Sequence, residues 1–156
     1  MNDYNRDLHF DLVLPHLKVV SYKQILMEFS TIAEKHLGIS GEKLFQLLLS
    51  QEEKSSSGIG ENVAIPHLQV RGPQKPFTIM ATLDRPVNCN AIDNQPVDLV
   101  CLVLSPESEG PFHLRRLSRI SRLLKNEKLH KKLQEANDKQ AIQTLLIDPE
   151  GWLLAA

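Results

Sequence analysis

Residues 99–104 read LVCLVL, six apolar residues with no polar interruption. Such a run is typical of a β-strand covered on both faces, because a strand with one wet face alternates apolar and polar residues. Residues 77–83, FTIMATL, predict a second strand, and residues 63–65 predict a short third one. The sequence therefore predicts a small β-sheet with other elements packed on both of its sides.

Helical patterns come before these strands. Ser21 is followed three residues later by Gln24, a capping-box spacing that opens a helix, and Gly38 ends that helix. Ser40 caps a second helix. The second helix leads into a polar stretch, residues 51–62, which we expect to be a loop because serine and glycine dominate its second half.

More helices are predicted after the strands. One begins near Phe112, and its buried face is predicted to comprise Leu114, Leu117, Ile120, Ser121 and Leu124. Its solvated face is predicted to comprise Arg115, Arg116, Arg119 and Arg122. The pattern continues through Leu129 and Leu133, and a capping box of Asn137 with Gln140 opens a last helix. The element order predicts one α/β domain over residues 1–156, a small mixed sheet flanked by helices, with residues 1–18 as a candidate N-terminal extension.

Composition argues against several function classes. Lysine and arginine number 18 against 19 acidic residues, a net charge of −1, so no general basic field favours a nucleic-acid partner. The two cysteines, Cys89 and Cys101, form no CxxC pair, which argues against a thiolate zinc site. The longest apolar run is far below the ~20 residues that cross a bilayer, and no signal-peptide pattern is visible. We expect a cytoplasmic protein with no membrane partner.

Residues 55–67, SSSGIGENVAIPH, carry the clearest chemical signal. Glycines let backbone N–H groups approach an anion, and serine hydroxyls add donors. The candidate phosphate-binding residues here are Ser56, Ser57, Gly58 and Gly60. Pro66 stiffens the backbone before His67, whose neutral imidazole is a nucleophile. Beside an anion cradle the natural electrophile is a phosphoryl group, so His67 is the candidate acceptor.

Three segments resemble one protein family. Residues 58–67, GIGENVAIPH, resemble the active-site signature of enzyme IIA domains of the bacterial phosphotransferase system, mannitol/fructose class. Residues 91–106, AIDNQPVDLVCLVLSP, are similar to the corresponding stretch of its nitrogen-regulatory branch, and residues 113–124, HLRRLSRISRLL, resemble the following helix. The resemblance implies that His67 is the phosphorylated histidine and that His113 is its active-site neighbour. It also implies a small histidine-containing phosphocarrier as donor and regulatory proteins as targets. No metal is required, and no cofactor motif is present.

Two positions depart from the family's pattern. The family carries an Arg-Glu pair before the run of serines at residues 55–57, called here the serine loop, where this chain has Gln51 and Glu52. A neutral amide thus replaces a fork of charged donors, and Gln51 is the candidate phosphate contact at that place. Asn62 stands where the family has glycine, a milder change because asparagine tolerates left-handed backbone.

The leading hypothesis is a phosphohistidine relay of the nitrogen-regulatory type, whose phosphorylation state alters its binding to other proteins. A sugar-specific enzyme IIA would share the chemistry but pass the phosphoryl group to a permease domain. An interaction module that has lost phosphorylation would agree with Gln51. A metalloprotein would use His67 and His113 with a carboxylate, although the sequence indicates no third ligand.

Overall fold

The computed structural model describes residues 8–147. Within them the strands are β1 Leu12–Leu17, β2 Gly58–Gly60, β3 Val63–Ala64, β4 His67–Val70, β5 Phe77–Val87 and β6 Val97–Pro106. The helices are α1 Tyr22–Leu37, α2 Gly41–Lys54, α3 Phe112–Leu124, α4 Glu127–Glu135 and α5 Lys139–Leu146. A 3₁₀ turn, Glu107–Glu109, precedes α3. No helix in this part of the chain is both long enough and apolar enough to cross a membrane.

The strands form one mixed sheet in the order β1-β5-β6-β3-β2, and β4 also pairs with β6. β6 is antiparallel to β5 and parallel to β3 and β4. β1 runs parallel to β5 at the edge of the sheet. The predicted α/β fold with a small mixed sheet is confirmed.

β6 supplies side chains to two separate cores. Val100, Leu102 and Leu104 pack into the core that α1 and α2 cover. Leu99, Cys101 and Val103 pack into the second core, which α3, α4 and α5 cover. All six side chains are buried. The prediction of a strand covered on both faces is therefore confirmed.

The first two helices begin and end where the sequence indicates. The Ser21 hydroxyl accepts the backbone N–H of Gln24, and Gly38 ends α1 in the left-handed conformation at φ 69°. Ser40 caps α2 in the same way as Ser21 caps α1. The last cap differs from the prediction, because Asp138 rather than Asn137 accepts the N–H three residues ahead.

The stretch 51–62 is not one loop. α2 continues to Lys54, since the sequence Gln-Glu-Glu-Lys consists of good helix formers. β2 and β3 then form a tight hairpin. Its two turn residues, Glu61 and Asn62, have φ values of 57° and 65°, as a type I′ turn requires. Asparagine accepts this conformation readily, which explains why it can stand in for the family's glycine.

The N-terminal region lies inside the fold from residue 8 onward. β1 pairs with β5, and Leu8 and Val13 are buried in the second core. These residues therefore belong to the domain and not to an extension. Residues 1–7 lie outside the described residues.

Helix α3 is rotated relative to its predicted orientation. Leu114 is 69% exposed, whereas Arg116 is only 3% exposed. The inward face consists of His113, Arg116, Ile120, Leu123 and Leu124. The interior accepts Arg116 because its guanidinium donates hydrogen bonds to Ser105 and Glu109. This rotation also brings His113 inside.

Candidate functional site

A cavity of about 240 Å³ opens between the end of α2, the serine loop and the start of β4. Its lining consists of Leu48, Gln51, Glu52, Ser55, Ser56, Ser57, Pro66 and His67. The fold thus brings together four predicted site residues, namely Gln51, Ser56, Ser57 and His67. Gly58 and Gly60 are not among the lining residues.

Both glycines are explained by packing and backbone conformation. A Cβ on Gly58 would lie 2.6 Å from the Cβ of Ala91 and 2.7 Å from Sγ of Cys89, which is too close. Gly60 has a φ of +94°, which side-chain-bearing residues rarely adopt. Their predicted contact with phosphate therefore has no support from the cavity, and the chain needs glycine there for other reasons.

The serine loop is held by hydrogen bonds that point into the protein. The backbone N–H and the hydroxyl of Ser57 both donate to the carboxylate of Glu52, each at 2.8 Å. The Tyr22 hydroxyl contacts Ser57 Oγ. Burial, together with the nearby Glu52 carboxylate, raises the pKa of Tyr22, so its hydroxyl stays protonated and can donate a hydrogen bond. The Ser56 hydroxyl donates to the carbonyl of Cys89 at 2.8 Å. Phosphate contact by the Ser56 and Ser57 hydroxyls stays a prediction, and it requires them to rotate away from these acceptors.

Two histidines from distant parts of the chain meet beside the cavity. His67 begins β4, and His113 is the second residue of α3. Nδ1 of His67 lies 3.1 Å from Nε2 of His113, and the ring centroids are 5.2 Å apart. His113 contacts the His67 ring and does not line the cavity. Because His113 engages Nδ1 of His67, Nε2 is the ring nitrogen left for reaction.

A serine and an arginine lie on the Nδ1 side of the His113 ring, away from His67. Ser105 Oγ lies 2.7 Å from His113 Nδ1, and Arg116 Nη1 donates to the same oxygen at 2.6 Å. Arg116 Nη2 donates to Glu109 at 2.7 Å. Ser105 was not predicted as a site residue, and Arg116 was predicted to lie on the solvated face of its helix. The one available signal was that Ser105 is the first polar residue after the apolar run of β6.

Both histidines are neutral near neutral pH. Burial lowers the pKa of His67. The pKa of His113 falls to about 4, because burial and the nearby His67 and Arg116 all disfavour its charged form. A neutral imidazole keeps a lone pair, which a nucleophile needs.

The lowered pKa of His113 predicts pH-dependent stability. Unfolded His113 binds a proton below its ordinary pKa of 6.5, whereas folded His113 does so only below about 4. The unfolded state therefore binds more protons between these values, and the free energy of unfolding should fall as pH decreases through this window. We expect a loss of up to about 3 kcal/mol from this group. Urea denaturation at several pH values measures it. A His113→Gln variant should show a shallower decline, and an unchanged slope would contradict this explanation.

Over residues 8–147 no three His, Cys, Asp or Glu side chains are placed to hold a metal ion. His67 and His113 face one another without a carboxylate between them.

The family model for the phosphoenolpyruvate-dependent sugar phosphotransferase system, EIIA 2, matches residues 8–148. The chain belongs to the EIIA 2 family. This EIIA 2 protein is 42% identical over 139 residues to a nitrogen regulatory protein of Bradyrhizobium diazoefficiens. The aligned region covers 89% of this chain and 91% of that protein. The predicted family resemblance is confirmed.

Solved structures agree with the EIIA 2 assignment. The crystal structure of nitrogen regulatory protein IIA-Ntr from Neisseria meningitidis matches with a TM-score of 0.80 at 27% identity, covering 86% of this chain and 92% of that one. IIA mannitol from Escherichia coli matches with a TM-score of 0.71 at 17% identity, over 86% of this chain and 94% of that one. The second likeness concerns the fold alone.

Proposed function

We propose that this EIIA 2 protein is a phosphohistidine relay with a regulatory role. A small histidine-containing phosphocarrier donates a phosphoryl group to Nε2 of His67. The phosphorylated and unphosphorylated forms then bind regulatory target proteins differently. The protein works in the bacterial cytoplasm and needs no cofactor or metal.

The observation that carries this proposal is that His67 lines the cavity while its Nδ1 contacts Nε2 of His113. The cavity gives an incoming phosphoryl group room beside the ring. His113 holds the ring at Nδ1 and leaves Nε2 as the nucleophile. The nitrogen regulatory relative supports the regulatory role over sugar transport.

The transfer needs only positioning and charge stabilisation. The N–P bond of the donor phosphohistidine breaks as the bond between phosphorus and Nε2 of His67 forms. His67 becomes more positive during attack, so a Nδ1–H bond to the neutral His113 stabilises the transition state. The negative charge on the transferred oxygens lies in the cavity, where Gln51 is the side-chain amide available to meet it.

An in vitro phosphorylation assay tests the proposal. The protein is incubated with phosphoenolpyruvate, the general phosphotransferase enzyme and the small phosphocarrier, and its intact mass is measured. We expect one phosphoryl group per chain, dependent on the phosphocarrier and labile in acid. A protein that gains no mass, or gains it equally without the phosphocarrier, would contradict the proposal.

Gln51 favours a second candidate function, an interaction module that has lost phosphorylation. Gln51 lines the cavity at the position where the family carries arginine. A neutral amide binds phosphate less strongly than a guanidinium does. Under this candidate the fold and its binding surfaces are kept while phosphoryl acceptance is lost.

The variant Gln51→Arg separates the two candidates. If wild type is a relay, we expect Gln51→Arg to raise the acceptance rate or the phosphohistidine lifetime about fivefold, since a charge-assisted bond is about 1 kcal/mol stronger than a neutral one. Gln46→Arg is the matched control, because Gln46 is exposed on the same helix and does not line the cavity. Inert wild type with an active Gln51→Arg variant would favour the interaction module. A slower variant would show that Gln51 does not face the phosphoryl group.

A further inference from the structure

Arg116, Ser105, His113 and His67 are linked by a series of hydrogen bonds, called here the hydrogen-bond chain, in which each bond has a defined donor and acceptor. Arg116 contacts Ser105, Ser105 contacts His113, and His113 contacts His67. Ser105, His113 and Arg116 are all at most 5% exposed. Because these side chains are shielded from water, each hydrogen bond is made between protein side chains. The donors and acceptors among them decide which atoms carry the protons.

The serine hydroxyl fixes the first half of the chain. A guanidinium can only donate, so Ser105 Oγ accepts from Arg116. Among the described residues, the other side-chain partner of Ser105 Oγ is Nδ1 of His113. A buried hydroxyl proton without an acceptor is costly, so Ser105 donates it to that nitrogen. His113 then carries its own proton on Nε2.

The charge of Arg116 favours the same arrangement. Its guanidinium lies one hydroxyl group away from His113 Nδ1. A lone pair directed toward a cation is favourable, whereas an N–H directed toward it is repelled. Glu109 offsets part of this charge from the turn before α3, but the guanidinium and not the carboxylate contacts Ser105.

We propose that Ser105 and Arg116 are positioning residues that set the tautomers of the two histidines. In the unphosphorylated protein, His113 donates its Nε2 proton to Nδ1 of His67. His67 consequently carries its own proton on Nε2, the nitrogen that is free of His113.

Phosphorylation requires this chain of hydrogen bonds to reverse before the bond to phosphorus forms, because a protonated Nε2 has no lone pair for attack. This step rests on the proposed function. A phosphoryl group on Nε2 leaves the His67 ring proton on Nδ1, which then donates to Nε2 of His113. His113 in turn donates from Nδ1 to Ser105, whose oxygen has a second lone pair to accept it. The Ser105 hydroxyl proton then turns away from His113 and loses that acceptor, so the reversed arrangement is the less favourable of the two. One proton leaves Nε2 of His67 for solvent, the proton between the rings passes to His67, and His113 takes up one proton from solvent. Each ring keeps one proton, and no heavy atom has to move.

Nuclear magnetic resonance of ¹⁵N-histidine-labelled protein tests the resting tautomers. Long-range ¹H–¹⁵N correlations at neutral pH distinguish a protonated ring nitrogen from an unprotonated one. We expect unprotonated Nδ1 in both His67 and His113, with the signals assigned from His67→Ala and His113→Ala. Ser105→Ala should give a mixture of His113 tautomers, and Ser105→Thr, which keeps the hydroxyl, should restore the wild-type pattern.

The same spectra can overturn the proposal. A wild-type His113 protonated on Nδ1, or an unchanged pattern in Ser105→Ala, would contradict it. If Ser105→Ala does not fold, the wild-type spectrum still decides. In the phosphorylated protein, a His113 proton that stays on Nε2 would overturn the reversal. A protein that cannot be phosphorylated would overturn the proposed function and the reversal together. The resting tautomers are tested separately, by the spectrum of the unphosphorylated wild-type protein.

Discussion

Replacing His67 by alanine is expected to abolish phosphoryl transfer to this protein completely. Among residues 8–147, His67 is the histidine that lines the cavity, and its Nε2 is not engaged by His113. A nucleophile removed from a covalent relay cannot be replaced by the remaining donors, since no bond to phosphorus can form. Intact-mass measurement after incubation with phosphoenolpyruvate and the two phosphotransfer proteins should show no gain in mass.

His36→Ala is the matched control for that experiment. His36 is exposed on α1 and lies outside the cavity lining. The control should take up one phosphoryl group at the wild-type rate, and far-ultraviolet circular dichroism should show both variants folded. Uptake by folded His67→Ala that equals wild type would remove His67 from the reaction.

Replacing His113 by alanine should slow phosphoryl acceptance by tenfold to a hundredfold without preventing it. The loss removes the partner of Nδ1 on the His67 ring, so the ring is less well oriented and its developing charge is less stabilised. A change of that size corresponds to about 1.4 to 2.7 kcal/mol of transition-state stabilisation. Single-turnover transfer from the phosphorylated carrier measures the rate directly.

Leu114→Ala is the control for the helix itself. Leu114 follows His113 on α3 but is 69% exposed, so its truncation changes little packing. The control should transfer at the wild-type rate. Equal rates for His113→Ala and wild type would show that the contact between the two rings does not assist the reaction.

The sheet and the first helices could be predicted because their signals are local. A run of apolar residues in β6 requires cover on both faces, and Ser21 and Ser40 cap the helices that they precede. β1 was harder to predict, since six residues with a proline and a histidine give no clear alternation. Its place at the edge of the sheet depends on pairing with β5, 60 and more residues later in the chain.

The site was predictable only in part, because much of it depends on tertiary contacts. The composition of residues 55–67 indicated His67, Ser56 and Ser57, whereas Gln51 and His113 were indicated only by the family resemblance. The rotation of α3 could not be read from its hydrophobic pattern. Arg116 is buried because Ser105 and Glu109, from other elements, accept hydrogen bonds from its guanidinium. The internal hydrogen bonds of the serine loop were equally invisible in the sequence, since they need Tyr22 and the Cys89 carbonyl nearby.

Locating the phosphoryl group by tandem mass spectrometry tests the central claim most directly. The phosphorylated wild-type protein is digested at alkaline pH, where a phosphohistidine survives, and the fragments are sequenced. We predict that the phosphoryl group lies on His67 alone. A phosphoryl group on any other residue, with His67 unmodified, would contradict the account.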